Sequence, residues 1–244
     1  MSVIRSSSIS GAWQEAVTVA IGSRKREVIS LVVNIECNGA GWPDEDLSLR
    51  QALNAALSSR RKSSVETVAR TIFPNGLWNP KLPRQALYDR FFRILPKIRR
   101  CRKNRNGHYF ERLINFPQSR RSANTFNQLE HIIQTYSEKG NHRRSALQAT
   151  LVNPFLDAKH SRQLGFPCLH QVSFLPNRHN RSLRVVAYYP THYLFERAYG
   201  NYLGLLNVGR FMAAEMHFSL EGLTCIAGVA LFEINPKRLH FLGL

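Results

Sequence analysis

Apolar residues along this chain recur with two periods, one of three to four residues and one of two, and these periods predict its helices and strands. Residues 29–37 alternate and are rich in β-branched side chains, which predicts a strand that leads into a turn at 38–46. Amphipathic helices are predicted where the longer period is sustained, at residues 47–61, 64–73, 84–98 and 124–139.

The second half of the chain has shorter apolar runs, which predict strands that end in loops. These strands are expected at residues 145–154, 168–176, 182–190 and 223–234. Residues 193–218 keep one apolar face throughout, which predicts one long helix. No linker or internal repeat interrupts the pattern. Residues 1–244 are therefore expected to form one α+β domain with a buried mixed sheet, a long central helix and flanking helices.

The charge of the chain changes the set of expected partners. The formal net charge is +18, and such a field attracts polyanions and phosphorylated small molecules. Residues 97–121 hold nine Lys or Arg residues and one acid, Glu111. This basic segment makes nucleic acid binding one hypothesis. It ranks last because the sequence has no recognition-module signature such as aromatic-bearing RNA-binding strands.

The spacing of the cysteines and the apolar content of the chain limit the class of protein further. The four cysteines are far apart and form no CxxC pair, which argues against a disulfide framework or a structural zinc site. Cys168 and His170 have no further ligands at useful spacing, so no metal is expected. Residues 1–13 lack the apolar core of a signal peptide, and no apolar stretch is long enough to span a membrane. A soluble, cytoplasmic protein is predicted.

The segment Gly165–His170 (GFPCLH) holds the most informative local signal. Pro167 favours an extended backbone before it, which places Cys168 at the start of a predicted strand. A cysteine acts as a nucleophile only as its thiolate, which needs nearby positive charge or hydrogen-bond donors. From the segment alone, a buried structural thiol is the more common interpretation.

Arg143 and Arg144 form a second candidate site, at the opening of the strand predicted at 145–154. Adjacent side chains on a strand point to opposite faces, so both reach one ligand only at the tip of the strand. The planar guanidinium suits a phosphate group because it can bind two oxygens at once. The alternative is a pair of solvated surface arginines.

Several segments, taken in order, resemble the thymidylate synthase and deoxycytidylate hydroxymethylase family. The strongest carry the arginine pair (127–154), the Pro-Cys dipeptide (165–174) and a strand, loop and helix containing an asparagine (183–215). Residues 65–73 and 107–114 resemble the family's glutamate-bearing helix and its Tyr-Gly-containing segment more faintly. The similarity covers about two-thirds of the chain and implies a thymidylate synthase-like fold.

The resemblance implies a covalent mechanism. Cys168 would add to carbon 6 of a pyrimidine, and carbon 5 would accept a one-carbon unit from methylenetetrahydrofolate. Asn201 matches the asparagine that hydrogen-bonds the pyrimidine edge, and Glu66 matches the glutamate that organises water and proton transfer. Arg143 and Arg144 match a pair that crosses a two-fold interface to the neighbouring chain's phosphate, which implies a homodimer.

Other interpretations of these residues stay open. Glu66 can equally be an exposed helix acid, and Asn201 can be a helix cap. His170 would share a strand face with Cys168, where it either tunes the thiol or packs as a core histidine. Tyr109 and His192 are further candidates for substrate contact.

Four departures from the family pattern bear on substrate and cofactor. The family's phosphate-binding arginine is replaced by Pro190, and its folate-contacting aspartate is matched by Tyr193. Residues 228–234 lack the His and Tyr that hold the sugar hydroxyl, and the chain stops at Leu244, short of the family's closing tail.

The sequence therefore predicts a C5 methyl- or hydroxymethyltransferase of a uridylate-like nucleotide. One alternative is a nucleotide-binding protein on the same scaffold without turnover. The other is a nucleic-acid-binding protein that uses residues 97–121.

Overall fold

A six-stranded mixed β-sheet forms the framework of the protein. The computed structural model describes residues 1–39, 41–101, 104, 108–117, 124–138, 143–158 and 167–235. The strands in these ranges are β1 (Ser2–Ser6), β2 (Glu27–Glu36), β3 (Phe116–Pro117), β4 (Thr125–Phe126), β5 (Gln148–Thr150), β6 (Gln171–Asn177), β7 (Ser182–Tyr193) and β8 (Ser219–Leu231). The helices are α1 (Ile9–Gly22), α2 (Leu47–Ser59), α3 (Val65–Ile72), α4 (Gln85–Arg100), α5 (Tyr109–Ile114), α6 (Gln128–Glu138), α7 (Pro154–Asp157) and α8 (Tyr199–Glu215).

The strand order in the large sheet is β1-β2-β8-β7-β6-β5, and β3 and β4 form a separate two-stranded ribbon. The pairs β1/β2 and β7/β8 are parallel, whereas β2/β8, β6/β7 and β5/β6 are antiparallel. The two longest strands, β7 and β8, lie side by side in the middle of the sheet. The architecture is thus mixed α+β, as the sequence predicted.

Helix α8 has more buried residues than any other described helix, and it packs on β7, β8, α1 and α3. Its buried side chains lie all round the helix rather than on one stripe, which is the pattern of a helix enclosed by other elements. The residues Leu205, Phe211 and Met212 are fully buried within it. The prediction of a central helix in this part of the chain is confirmed.

Two glycines let α8 approach α3 closely. A Cβ atom at Gly200 would lie 2.6 Å from the Cβ of Val68, and one at Gly204 would lie 2.7 Å from the backbone oxygen of Ala69. Both distances are shorter than side chains tolerate, so the two helices meet backbone to backbone here. This contact fixes which face of α3 is covered and which face remains exposed.

Most predicted elements are present. The strand at 29–37 is β2, and the four helices predicted in the first half are α2, α3, α4 and α6. Asp46 and Ser64 are the N-cap residues of α2 and α3, and their side chains accept hydrogen bonds from backbone N–H groups of the first turn. Helices α1, α5 and α7 were not predicted.

Several predicted boundaries are wrong. Arg144–Ala146 form a single 3₁₀ turn, and β5 begins only at Gln148, so the arginine pair does not open a strand. Strand β6 begins at Gln171, three residues after Cys168, because the Cys168 backbone N–H donates to a side chain instead of a neighbouring strand.

The long helix also begins later than predicted. Strand β7 continues to Tyr193 because it stays paired with β8 as far as Leu231. A π-helical turn, Leu194–Ala198, then leads into α8. The pairing partner, which lies far away in sequence, decides this boundary.

In the part of the chain that the structure describes, every helix is too short or too polar to cross a lipid bilayer.

Candidate active site

A cavity of about 890 Å³ lies between α3, α4, the start of α5, the end of β7 and the start of α8. This volume falls in the range of pockets that enclose small-molecule ligands. Polar side chains from distant parts of the sequence reach its wall: Tyr109, Cys168, His192, Arg197 and Asn201.

Tyr109 fixes the backbone that carries Cys168. Its hydroxyl oxygen accepts hydrogen bonds from the backbone N–H groups of Cys168, at 3.1 Å, and Leu169, at 3.3 Å. Burial raises the pKa of Tyr109, so the hydroxyl stays protonated at neutral pH. A tyrosine at the first position of α5 thereby holds the cysteine segment at the cavity wall.

The Cys168 thiol is half-buried, and two opposing effects act on it. Burial raises its pKa above the ordinary value, whereas the positive charge of Arg197 lowers it. Burial is the larger effect, so the side chain is mainly a thiol at neutral pH. Any further positive charge or hydrogen-bond donor brought by a ligand would favour the nucleophilic thiolate.

Asn201 and His192 form a buried pair on the same cavity wall. The side-chain nitrogen of Asn201 lies 3.0 Å from Nε2 of His192. The imidazole stacks on Tyr189 with ring centroids 4.2 Å apart. Burial lowers the pKa of His192 to about 3, so the ring is neutral in the physiological range.

Arg112 also lines the cavity, but its charge is already neutralised. Its guanidinium forms a two-pronged ion pair with Asp157, with N–O distances of 2.5 and 2.8 Å, and donates to the backbone oxygen of Leu151. Both charged side chains are buried. This pair holds α5 against α7 and supports the cavity wall.

The structure brings four of the predicted site residues together: Cys168, Asn201, Tyr109 and His192 all line the cavity. Glu66 does not line it, because Glu66 lies on another face of α3 and its carboxylate contacts Arg50 and Asn54. The residues of α3 that face the cavity are Thr67, Val68, Arg70 and Thr71.

The remaining predicted residues lie elsewhere. The His170 ring meets Tyr188 at 6.2 Å between ring centroids and does not line the cavity. Arg143 and Arg144 are exposed and lie outside the cavity.

Arg70 and Arg197 line the cavity and were not singled out in the sequence. The only signal in the sequence was their position: Arg70 follows Glu66 by one helical turn, and Arg197 precedes Asn201 by one turn.

The basic segment 97–121 is only partly within the described residues. Of its nine basic residues, Lys97, Arg99, Arg100 and Arg112 are described, and the other five lie outside. Arg99 pairs with Glu111, and Arg112 is buried against Asp157. At least Arg112 is therefore not part of a surface that could meet a polyanion.

Among the described residues, no group of three or more His, Cys, Asp or Glu side chains is arranged to hold a metal ion. A cavity with a cysteine, a buried amide and unneutralised arginines defines a candidate site for a small anionic ligand.

No protein-family model matches this sequence, and no curated protein is significantly similar to it.

Proposed function

We propose that this chain is an enzyme of the thymidylate synthase type that binds a uridylate-like nucleotide and activates carbon 5 of its ring through Cys168. The observation that carries the proposal is that Cys168 and Asn201, distant in sequence, line one cavity of suitable size. A nucleophile and an amide able to recognise a base edge are the two groups that such a reaction needs.

The covalent step can be written from these residues. The Cys168 thiol loses its proton to water, and its sulfur forms a bond to carbon 6. The electron pair of the C5–C6 double bond moves to carbon 5 and the carbonyl oxygen as an enolate. Carbon 5 takes up a solvent proton, and loss of its original hydrogen followed by C–S cleavage restores the ring and the thiolate. The net result without an acceptor is hydrogen exchange at carbon 5.

The resemblance implies that carbon 5 then receives a methyl or hydroxymethyl group from methylenetetrahydrofolate. The cavity residues do not fit the family's folate contact. Tyr193 stands where a carboxylate is expected, and the only carboxylate among the described lining residues, Glu196, pairs with Lys62 at 2.5 Å. We therefore derive no step that uses folate, and the proposal extends to the activation of carbon 5.

A homodimer is part of this proposal. Arg143 and Arg144 lie outside the cavity of their own chain and are exposed, which leaves them accessible to a second copy.

Release of tritium from 2′-deoxyuridine 5′-monophosphate labelled at carbon 5 tests the proposal. The wild-type protein should release tritium into water, and Cys168→Ala should abolish the release. Cys37→Ala is the matched control because Cys37 is also half-buried but lies outside the cavity. A covalent adduct with 5-fluoro-2′-deoxyuridylate on Cys168, seen by mass spectrometry, should accompany the exchange. Release that survives Cys168→Ala would contradict the mechanism.

A second candidate is a nucleotide-binding protein without turnover. The raised pKa of Cys168 favours it, as does the lack of an unpaired carboxylate among the described cavity residues. It predicts calorimetric binding of 2′-deoxyuridylate that persists in Cys168→Ala, with neither tritium release nor adduct in the wild-type protein.

A further inference from the structure

The cavity contains two arginines that no described residue neutralises. The guanidinium groups of Arg197 and Arg70 make no hydrogen bond or ion pair with any residue in the described ranges. Three other arginines that are buried or half-buried, Arg84, Arg112 and Arg184, all pair with carboxylates. The contrast with the half-buried Arg197 indicates that its charge serves a ligand.

Arg197 is the more informative of the two because it is half-buried. A guanidinium removed from water without a counterion is unfavourable, and an entering anion relieves that cost. The neighbouring carboxylate of Glu196 is not such a counterion, since it pairs with Lys62. Arg197 and Cys168 line the same cavity, so an anion bound to Arg197 would share that cavity with the Cys168 thiol.

Helix α3 offers complementary donors across the cavity. Thr67 and Arg70 are three residues apart and line the same cavity, so they share one face of the helix. Thr71 also lines the cavity, but its hydroxyl already donates to the backbone oxygen of Val68 at 2.6 Å. Hydroxyl and guanidinium groups both donate hydrogen bonds to phosphate oxygens.

We propose that Arg197, with Arg70 and the hydroxyl group of Thr67, binds the phosphate group of a monophosphate ligand within its own chain. The identity of the base in this assignment rests on the proposed function, whereas the binding of an anion does not. The assignment places the phosphate on residues other than the exposed pair Arg143 and Arg144. It also provides a phosphate contact in a chain that has Pro190 where the family resemblance expects an arginine.

Calorimetry with 2′-deoxyuridine 5′-monophosphate and with 2′-deoxyuridine measures the contribution of the phosphate. The monophosphate should bind the wild-type protein at least about tenfold more tightly. Arg197→Gln should abolish this difference, and Arg70→Gln should reduce it. Arg197→Lys should keep part of it, because the charge remains while the planar fork is lost. The control is Arg93→Gln, which removes the same charge from an exposed position outside the cavity.

A double variant, Arg143→Gln with Arg144→Gln, separates the two possible origins of the phosphate contact. If the phosphate binds within the chain, this variant should keep the full preference for the monophosphate. Loss of the preference in this variant, together with its retention in Arg197→Gln, would overturn the proposal. The melting temperature of each variant without ligand verifies that it is folded.

Inorganic phosphate distinguishes a failure of this proposal from a failure of the proposed function. Phosphate should raise the melting temperature and slow the alkylation of Cys168 by iodoacetamide in the wild-type protein but not in Arg197→Gln. If no pyrimidine nucleotide binds while phosphate still acts through Arg197, the proposed function fails and the anion site stands. If phosphate has neither effect and nucleotide and nucleoside bind equally well, the anion site is wrong.

Discussion

The Nε2 atom of His192 lies 3.0 Å from the Nδ2 atom of Asn201, and this contact fixes the orientation of the asparagine amide. The amide nitrogen of Asn201 can only donate a hydrogen bond, so Nε2 of His192 must accept it. The neutral His192 ring therefore carries its proton on Nδ1. Nδ1 then faces the Cys225 sulfur at 3.9 Å. The amide oxygen of Asn201 has no hydrogen-bond partner among the described residues and is left to accept from a ligand N–H, such as N3 of uracil.

The first prediction concerns the choice of base. His192→Phe keeps a ring that can stack on Tyr189 but removes the acceptor that orients Asn201. The affinity for 2′-deoxyuridylate should fall by about tenfold, and the preference over 2′-deoxycytidylate should shrink. Calorimetric dissociation constants for both nucleotides measure the effect.

His170→Phe is the matched control, because His170 does not line the cavity. An equal loss of affinity in this variant would show that His192 has no specific role in orienting Asn201.

The second prediction concerns the pH dependence of stability. Burial lowers the pKa of His192 to about 3, below its value of about 6.5 in the unfolded chain. The unfolded state therefore binds a proton between pH 6.5 and pH 3 that the folded state does not. The stability from this group is fully present above pH 6.5 and is lost as the pH falls.

Between pH 7 and pH 5, linkage gives a loss of about 2 kcal/mol from His192 alone. Urea denaturation at both values should show a smaller pH dependence for His192→Phe than for the wild-type protein. His179→Asn, which removes a histidine at an exposed position, is the control. Identical pH profiles for the wild-type protein and His192→Phe would contradict the assignment.

The third prediction concerns the buried ion pair between Arg112 and Asp157. Asp157→Ala leaves a buried guanidinium without its counterion and should lower the free energy of unfolding by about 3–5 kcal/mol. The double variant Arg112→Met with Asp157→Leu should lose less, because no charge then remains buried. Urea denaturation measures both changes. A single variant as stable as the wild-type protein would mean that Arg112 reaches water.

The fourth prediction concerns the contact between α3 and α8. A methyl group at Gly204 would lie 2.7 Å from the Ala69 oxygen and 2.9 Å from the Ile72 Cβ. Gly204→Ala should therefore push the helices apart and destabilise the fold by about 1–3 kcal/mol.

Gly22→Ala is the control, since an added Cβ at Gly22 has no neighbouring atom within 4 Å. It should leave the melting temperature unchanged or slightly raised. Comparable destabilisation of both variants would show that helix contact is not the cause.

Local patterns were sufficient for much of the fold. Five elements were predictable because the spacing of apolar residues reveals both the period of an element and its buried face. They are the helices α2, α3, α4 and α6 and the strand β2. The junction of β7 and α8 was not predictable. It depends on how far β8 continues alongside β7, and that strand pairing is made by residues distant in sequence.

The candidate site divides in the same way. The sequence by itself determined which reactive and polar side chains are present, because Cys168, Asn201, Tyr109 and His192 could be named from segments in a recognisable order. All four line one cavity. Tertiary structure alone decided which face of α3 joins them. At Gly204 the helix α8 covers Ala69 and Ile72 of α3, while Arg70 lines the cavity and Glu66 contacts Arg50.

Arg197 belongs to the part that only the tertiary structure decided. Whether an arginine is neutralised depends on which carboxylates lie near it in space, and the sequence does not state that. Its helical neighbour Glu196 pairs with Lys62, which leaves Arg197 without a counterion among the described residues. Charge can be counted along a chain, but the pairing of charges is a property of the packed molecule because it depends on distances between segments.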